Sequence, residues 1–186
     1  MYQELDEQEL VRHCQEKDRS AEDELYRRYA ALGYTLCRRY LGDDDEAKDL
    51  MQDVIIRALD KIQTFKYSGK GSLSGWIGRI AINKALDQIK KRKWRTVSLD
   101  FAGRDDIPEP TEEEMEAIPQ EKLLAWIAKL SDMRRTVFNL YCMDGYSHKE
   151  IGEMLGISEK GSTSVLTKAR KQLKEEIKRY LKERDT

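Results

Sequence analysis

Proline, cysteine and histidine are all scarce in this 186-residue chain, at 3, 3 and 2 residues, and aromatic residues make up only 8 %. Few prolines leave long stretches free to be helical, and Leu, Glu, Lys, Arg and Ala are plentiful. Cys14, Cys37 and Cys142 are odd in number, far apart and form no CxxC pair. That excludes a disulfide framework and fits a reducing, cytoplasmic setting in which each acts as a small hydrophobe. His13 beside Cys14 and His148 near Cys142 complete no ligand quartet, so neither a metal nor a cofactor is expected. No apolar run approaches the roughly 18 residues of a membrane helix. Met1-Tyr2-Gln3-Glu4-Leu5-Asp6 has neither the basic nor the apolar region of a secretory signal. Membrane insertion and export are not expected.

Net charge is also nearly lacking, at −1 from 34 bases and 35 acids, but a global sum hides blocks. Residues 1–24 carry nine acids and three bases, and residues 41–60 seven and two. Residues 75–98 reverse this with seven bases (Arg79, Lys84, Lys90, Lys91, Arg92, Lys93, Arg95) against Asp87. Residues 100–122 carry nine acids and two bases, and residues 160–184 nine bases and three acids. Any one such run reads as a solvated helix face. Two basic blocks on either side of an acidic hinge read as a bipartite polyanion binder.

Apolar residues recur at helical spacing and no sustained period-two stretch occurs, so the fold class is all-α. A first short helix starts at Asp6, with Glu9 completing a cap. The next follows Ser20 and stops at Gly42, burying Leu25, Tyr29, Leu32, Leu36 and Tyr40. A third opens in the acidic cluster 43–46, which suits the positive end of a helix dipole, and runs to about Phe65. Gly69, Gly71 and Gly75 break the chain, and a fourth helix covers Leu73 to about Arg92.

Between 100 and 119 the pattern dissolves. All three prolines, Pro108, Pro110 and Pro119, fall here among clustered acids, which marks an extended linker. Two small helical domains are therefore expected, 1–99 and 120–186, joined by an acidic linker at 100–119. The second reads as four helices: about 120–130, about 132–143, one opened by the capping box Ser147-His148-Lys149-Glu150, and a long one capped by Ser158.

The run from Gly145 to Ser158 is a helix-turn-helix. Ile151 and Leu155 face a core, Gly152 admits the following segment, Gly156 supplies the positive φ of the turn and Ser158 caps the next helix. That helix begins Gly161-Ser162-Thr163-Ser164 and continues with Thr167, Lys168, Arg170 and Lys171. Short polar groups near its start and cations behind them suit a major groove. The alternative is a hairpin that merely packs. In the fourth helix, Trp76, Arg79, Asn83 and Asp87 form a stripe beside the core residues Ile77, Ile80 and Ala81. An aromatic, a cation and an amide followed by Lys90–Lys93 suit unpaired DNA. The same residues equally allow a core tryptophan and a solvated asparagine.

Taken together, these segments resemble the small extracytoplasmic-function (ECF) group of sigma70-family bacterial initiation factors. Glu24-Leu25-Tyr26-Arg27-Arg28-Tyr29 resembles the family's opening helix. Asp49-Leu50-Met51-Gln52-Asp53-Val54 is similar to its D-[VL]-x-Q-[DE]-V signature, and Trp76-Ile77-Gly78-Arg79-Ile80-Ala81-Ile82-Asn83 to W-L-x-R-I-A-x-N. Val97-Ser98-Leu99-Asp100 resembles the segment after the basic run. The run 145–158 with Lys168-Ala169-Arg170-Lys171-Gln172-Leu173 resembles the C-terminal signature.

The resemblance implies a non-enzymatic factor that binds RNA polymerase core and directs it to promoters. It implies core binding by Asp49, Gln52, Asp53 and Arg57, against a coiled coil of the largest subunit, with the flap region as a further contact. It implies −10 recognition and opening of the non-template strand by Trp76, Arg79, Asn83, Lys84, Lys90 and Lys91 with the loop 67–74. It implies −35 duplex recognition by Ser162, Thr163, Ser164, Thr167, Lys168 and Lys171. An anti-sigma factor is a further implied partner. The recognition helix departs from the usual pattern at Lys160-Gly161-Ser162-Thr163, at Val165 in place of a common Arg or Gln, and at Tyr141 where Arg is frequent. The main rival is a stand-alone helix-turn-helix regulator. Ser68-Gly69-Lys70-Gly71-Ser72 superficially resembles a phosphate loop but lacks its spacing and preceding strand.

Overall fold

The computed structural model describes residues 5–92, 108 and 110–184. Among them every regular element is helical. The chain divides into two compact units after Arg92. The expected boundary at 99, the basic residues Lys93 and Arg95, and the motif 97–100 lie outside the described residues.

The first unit contains α1 (Glu7–Gln15), α2 (Arg19–Leu41), α3 (Asp44–Lys61), a 3-10 turn (Ile62–Thr64) and α4 (Ser72–Lys91). The Asp6–Glu9 capping box is formed. α2 starts at Arg19, before Ser20 rather than after it, because the Asp18 carboxylate caps the helix by accepting from the Ser20 N–H. Asp43 caps α3, whose first turn is Asp44, Asp45 and Glu46. Gly42 ends α2 with φ 72. The three long helices pack on one another around Leu25, Tyr40, Val54, Ile77 and Ile89. Leu25 and Tyr40 of the expected α2 stripe are buried, whereas Tyr29, Leu32 and Leu36 are half-buried; Ala21, Gly33 and Cys37 take the inner positions. A β-carbon at Gly33 would sit 3.3 Å from Met51 Cγ, so the small residue sets the approach of α2 to α3.

The second unit contains α5 (Glu112–Glu116), α6 (Gln120–Lys129), α7 (Asp132–Phe138), α8 (His148–Leu155) and α9 (Glu159–Arg184). α7 continues into a π-helical turn, Asn139–Met143. The linker expectation is corrected at its C-terminal end. Thr111 and Glu114 form a capping box that starts α5, and Ile118 is buried with Trp126, Leu130, Ala169, Leu173 and Ile177. Like charge did not prevent this turn, because three carboxylates sit at the helix end that favours them. Arg135, almost fully buried, donates to the carbonyls of Ala128 (2.9 Å) and Leu130 (2.8 Å), closing the end of α6.

Cys14 and Cys37 are buried, and burial pushes each thiol up to about 12. Cys142 departs from the small-hydrophobe expectation: it is exposed. No helix of the described residues is long and apolar enough to cross a membrane.

Candidate nucleic-acid interface

Helix α3 turns Leu50, Val54 and Ala58 inward and leaves Asp49, Gln52, Asp53 and Arg57 exposed. All four expected residues of this face therefore stand on one outward surface. Two residues that the sequence reading passed over join them: Ile56 is 58 % exposed and Tyr26 of α2 46 %. Both line an open groove of about 380 Å³ with Gln52 and Leu59, rimmed by Glu22 and Asp23. The signal was the run Val54-Ile55-Ile56, since a helix cannot turn three successive side chains to one core. An apolar groove with an acidic rim suits an amphipathic basic helix.

On α4, Arg79 and Asn83 are exposed about one turn apart, Lys84 is half-buried, and Lys90 and Lys91 are exposed near the end. Trp76 is half-buried and lies against Phe65, ring centroids 4.8 Å apart. Phe65 thus occupies part of the indole surface, so Trp76 is a wall beside the loop rather than a free platform. Asn83, Lys84 and Asp87 line a second open groove, about 450 Å³, with Asp53, Arg57 and Ile80. The structure therefore joins two sets of residues that the sequence assigned to separate tasks.

In the second unit, Ser147 and Glu150 form the expected capping box of α8, and Gly156 ends it with φ 69. The Ser147 hydroxyl and N–H hold the Glu150 carboxyl below its usual range. A β-carbon at Gly152 would lie 2.7 Å from the Ile157 carbonyl oxygen, which is why only glycine lets the turn close on α8. Ser158 Oγ accepts from the Gly161 N–H at 3.0 Å and caps α9.

Ser162 is the clear correction among the α9 residues. It is fully buried, and its Oγ is hydrogen-bonded with His148 Nδ1 at 2.9 Å. It ties α9 to α8 and has no surface to offer a base. Val165 is buried as well, so its departure from the usual pattern falls on the core side of the helix. Thr163 and Lys171 are exposed, and Ser164, Thr167 and Lys168 half-exposed. The hydroxyls of Thr163 and Thr167 donate to the carbonyls of Glu159 (3.1 Å) and Thr163 (3.0 Å), leaving lone pairs and methyl groups for a partner. Tyr141 stacks on His148 at 4.4 Å and carries the Arg170 guanidinium 5.8 Å from its ring centre. A cation is thus present beside Tyr141, where the sequence alone showed its loss. Burial, with the nearby Arg170, pushes His148 below the usual imidazole range despite Glu159.

Among the described residues no group of His, Cys, Asp and Glu side chains could hold a metal ion. The surfaces offer a mixed acidic and apolar protein face, a cation–amide face, and a capped helix bearing small polar groups and cations.

Residues 25–95 match the Sigma-70 region 2 family and residues 120–173 the Sigma-70 region 4 family, together more than half of the chain. The ECF RNA polymerase sigma factor SigM of Bacillus subtilis (strain 168) is 29 % identical over 156 residues, covering 82 % of this chain and 92 % of the relative. SigW of the same organism is 28 % identical over 179 residues, covering 90 % and 95 %. Among solved structures, the sigma factor RpoE from Bartonella quintana, in complex with the anti-sigma factor NepR, superposes with a TM-score of 0.51 at 20 % identity, covering 84 % of this chain and 96 % of that one, a likeness of fold. With both sigma-70 regions matched in order and full-length relatives of one group, the chain belongs to the sigma-70 family, in its ECF group, whose members bind RNA polymerase and direct promoter-specific initiation without catalysing a reaction.

Proposed function

We propose a division of this activity among the three surfaces. The α3 face, with Asp49, Gln52, Asp53 and Arg57, docks on a coiled coil of the largest polymerase subunit. The α4 face, with Arg79, Asn83, Lys84, Lys90, Lys91 and the loop 67–74, reads and opens the −10 element on the non-template strand, with Trp76 shaping the loop from below. Helix α9 enters the major groove at the −35 element through Thr163, Ser164, Thr167, Lys168 and Lys171, with the polymerase flap region against the same domain. Ser162 leaves the contact set and joins the scaffold. The carrying observation is that each helix buries one side and leaves its assigned residues on the other.

We take the first domain to extend at least to Arg92, and the packing of Ile118 with Trp126 and Leu130 supports a second domain that starts before residue 120. An anti-sigma factor as a partner rests on the complex formed by the Bartonella relative. The stand-alone regulator reading is not favoured: the first unit shows no strand among the described residues, as a receiver domain would need.

Reconstitution with core polymerase tests the division. Asp53→Ala is expected to weaken core binding while Asn83→Ala spares it, and Asn83→Ala to impair permanganate-detected opening in the holoenzyme. Equal losses in both assays for both variants would refute it.

A further inference from the structure

Helix α1 reaches across the first unit to the segment that precedes α4. One oxygen of Glu7 accepts the Gly71 N–H at 2.7 Å and the other accepts the Leu73 N–H at 2.5 Å. Gly71 is the N-cap residue of α4 and has no side chain to satisfy the first amides of the helix. The carboxylate of a residue more than sixty positions away does so instead. At the other end of α1, Gln15 Nε2 donates to the carbonyls of Ile62 (2.9 Å) and Phe65 (3.0 Å), and Gln63 donates back to the Gln15 carbonyl at 2.5 Å. Both ends of the segment 62–73 are thus held by one short helix. That helix is itself fixed: Leu10, Val11 and Cys14 are buried, and Arg28 donates to the Leu5 carbonyl at 2.8 Å. Arg28 and Arg27 in turn bind Glu24, whose carboxyl they hold below its usual range. The apparent phosphate loop at 68–72 is explained as well, because two amides at its end already hold an anion, the Glu7 carboxylate.

Resting on the reading of α4 and its loop as the −10 surface, we propose that Glu7 is a positioning residue for promoter opening. It caps α4 from another helix and fixes the loop in the form that receives an unstacked base. The loop needs an outside anchor, because Gly69 and Gly71, at φ 127 and 88, give it conformational freedom. A receptor loop ordered before binding spends less of the binding energy on its own ordering. Glu7 touches no DNA in this scheme; its effect passes through the backbone of residues 71–73.

The test uses holoenzyme reconstituted with the full chain carrying Glu7→Ala or the near-isosteric Glu7→Gln. Promoter opening is read by permanganate reactivity on a duplex promoter, core affinity and −35 duplex affinity are measured in parallel, and Asn83→Ala serves as the reference. Glu7→Ala is expected to lower opening about fivefold, the ratio that loss of a helix cap typically shifts. Glu7→Gln, which keeps one acceptor oxygen, loses less, and neither changes core or −35 affinity. Unchanged opening in Glu7→Ala, alongside loss in Asn83→Ala, overturns the positioning role and leaves the −10 reading standing. Unchanged opening in both overturns that reading and the proposal with it. A parallel fall in core affinity shows general loosening of the domain and also overturns the positioning role.

Discussion

Lys84 of α4 holds its ammonium 3.6 Å from the Asp53 carboxylate of α3. A cation of the proposed DNA face is therefore matched to an acid of the proposed polymerase face. The pair is exposed, 35 % and 61 %, so its worth to stability is small, about 0.2–1 kcal/mol at most. Its importance lies in allocation: a polymerase contact that takes Asp53 leaves Lys84 to a phosphate. Asp53→Ala is expected to leave thermal unfolding nearly unchanged, to weaken core affinity about tenfold, and to raise the isolated factor's affinity for a −10 single strand slightly at low salt. Anisotropy titrations check this, and a fall in single-strand affinity would contradict it.

Gly152 gives the sharpest stability prediction. A methyl group there meets a backbone carbonyl at 2.7 Å, which cannot swing aside as a side chain could. Gly152→Ala is expected to destabilise the second domain by about 1–3 kcal/mol and to abolish −35 binding. Thermal denaturation of the full chain, followed beside a gel shift, reads both.

His148 makes the second domain sensitive to acid. Its pKa lies below that of the unfolded chain, about 6.5. The unfolded state therefore takes up the proton first, and stability is lost as pH falls through about 6.5 toward the folded-state value. Glu159, which faces the ring, opposes this, while Arg170 reinforces it. Melting temperature is expected to fall between pH 7.5 and 5.5 and to flatten in His148→Gln. Glu24, Asp44 and Glu150, with lowered carboxyl pKa values, add losses at lower pH, below the usual carboxylate range.

On α9, exposure separates affinity from specificity. Lys171→Ala is expected to reduce the salt slope of −35 binding by about one and to weaken all sequences alike. Thr163→Ala removes a methyl at the groove end of the helix and is expected to relax preference at one base pair. Ser162→Ala, which removes a buried hydrogen bond, costs about 1 kcal/mol of stability and leaves preference unchanged. Binding-site selection with each variant discriminates among these outcomes.

Local features were legible in the sequence. The caps at Asp6, Ser147 and Ser158, the stops at Gly42 and Gly156, and the exposed acids of α3 depend on residues within a turn of one another. Non-local features were not. Nothing around Glu7 points to Gly71, and the small polar run 161–164 has no period that separates buried Ser162 from exposed Thr163. Helix α5 lay hidden because prolines and like charge dominated the segment, although Thr111 and Glu114 stood at capping-box spacing. The π-helical turn after α7 has no sequence signature of comparable strength.

The cysteines open an experimental route. At neutral pH the thiols of Cys14 and Cys37, buried and raised to about 12, are sealed against alkylating reagents. Cys142 is exposed on the π-helical turn, 3.8 Å from the Arg170 guanidinium. A maleimide fluorophore added to the unmutated chain would therefore settle on the second domain alone, a short distance from α9. The proposed engagement of DNA by α9 could then be followed in real time without removing any native side chain.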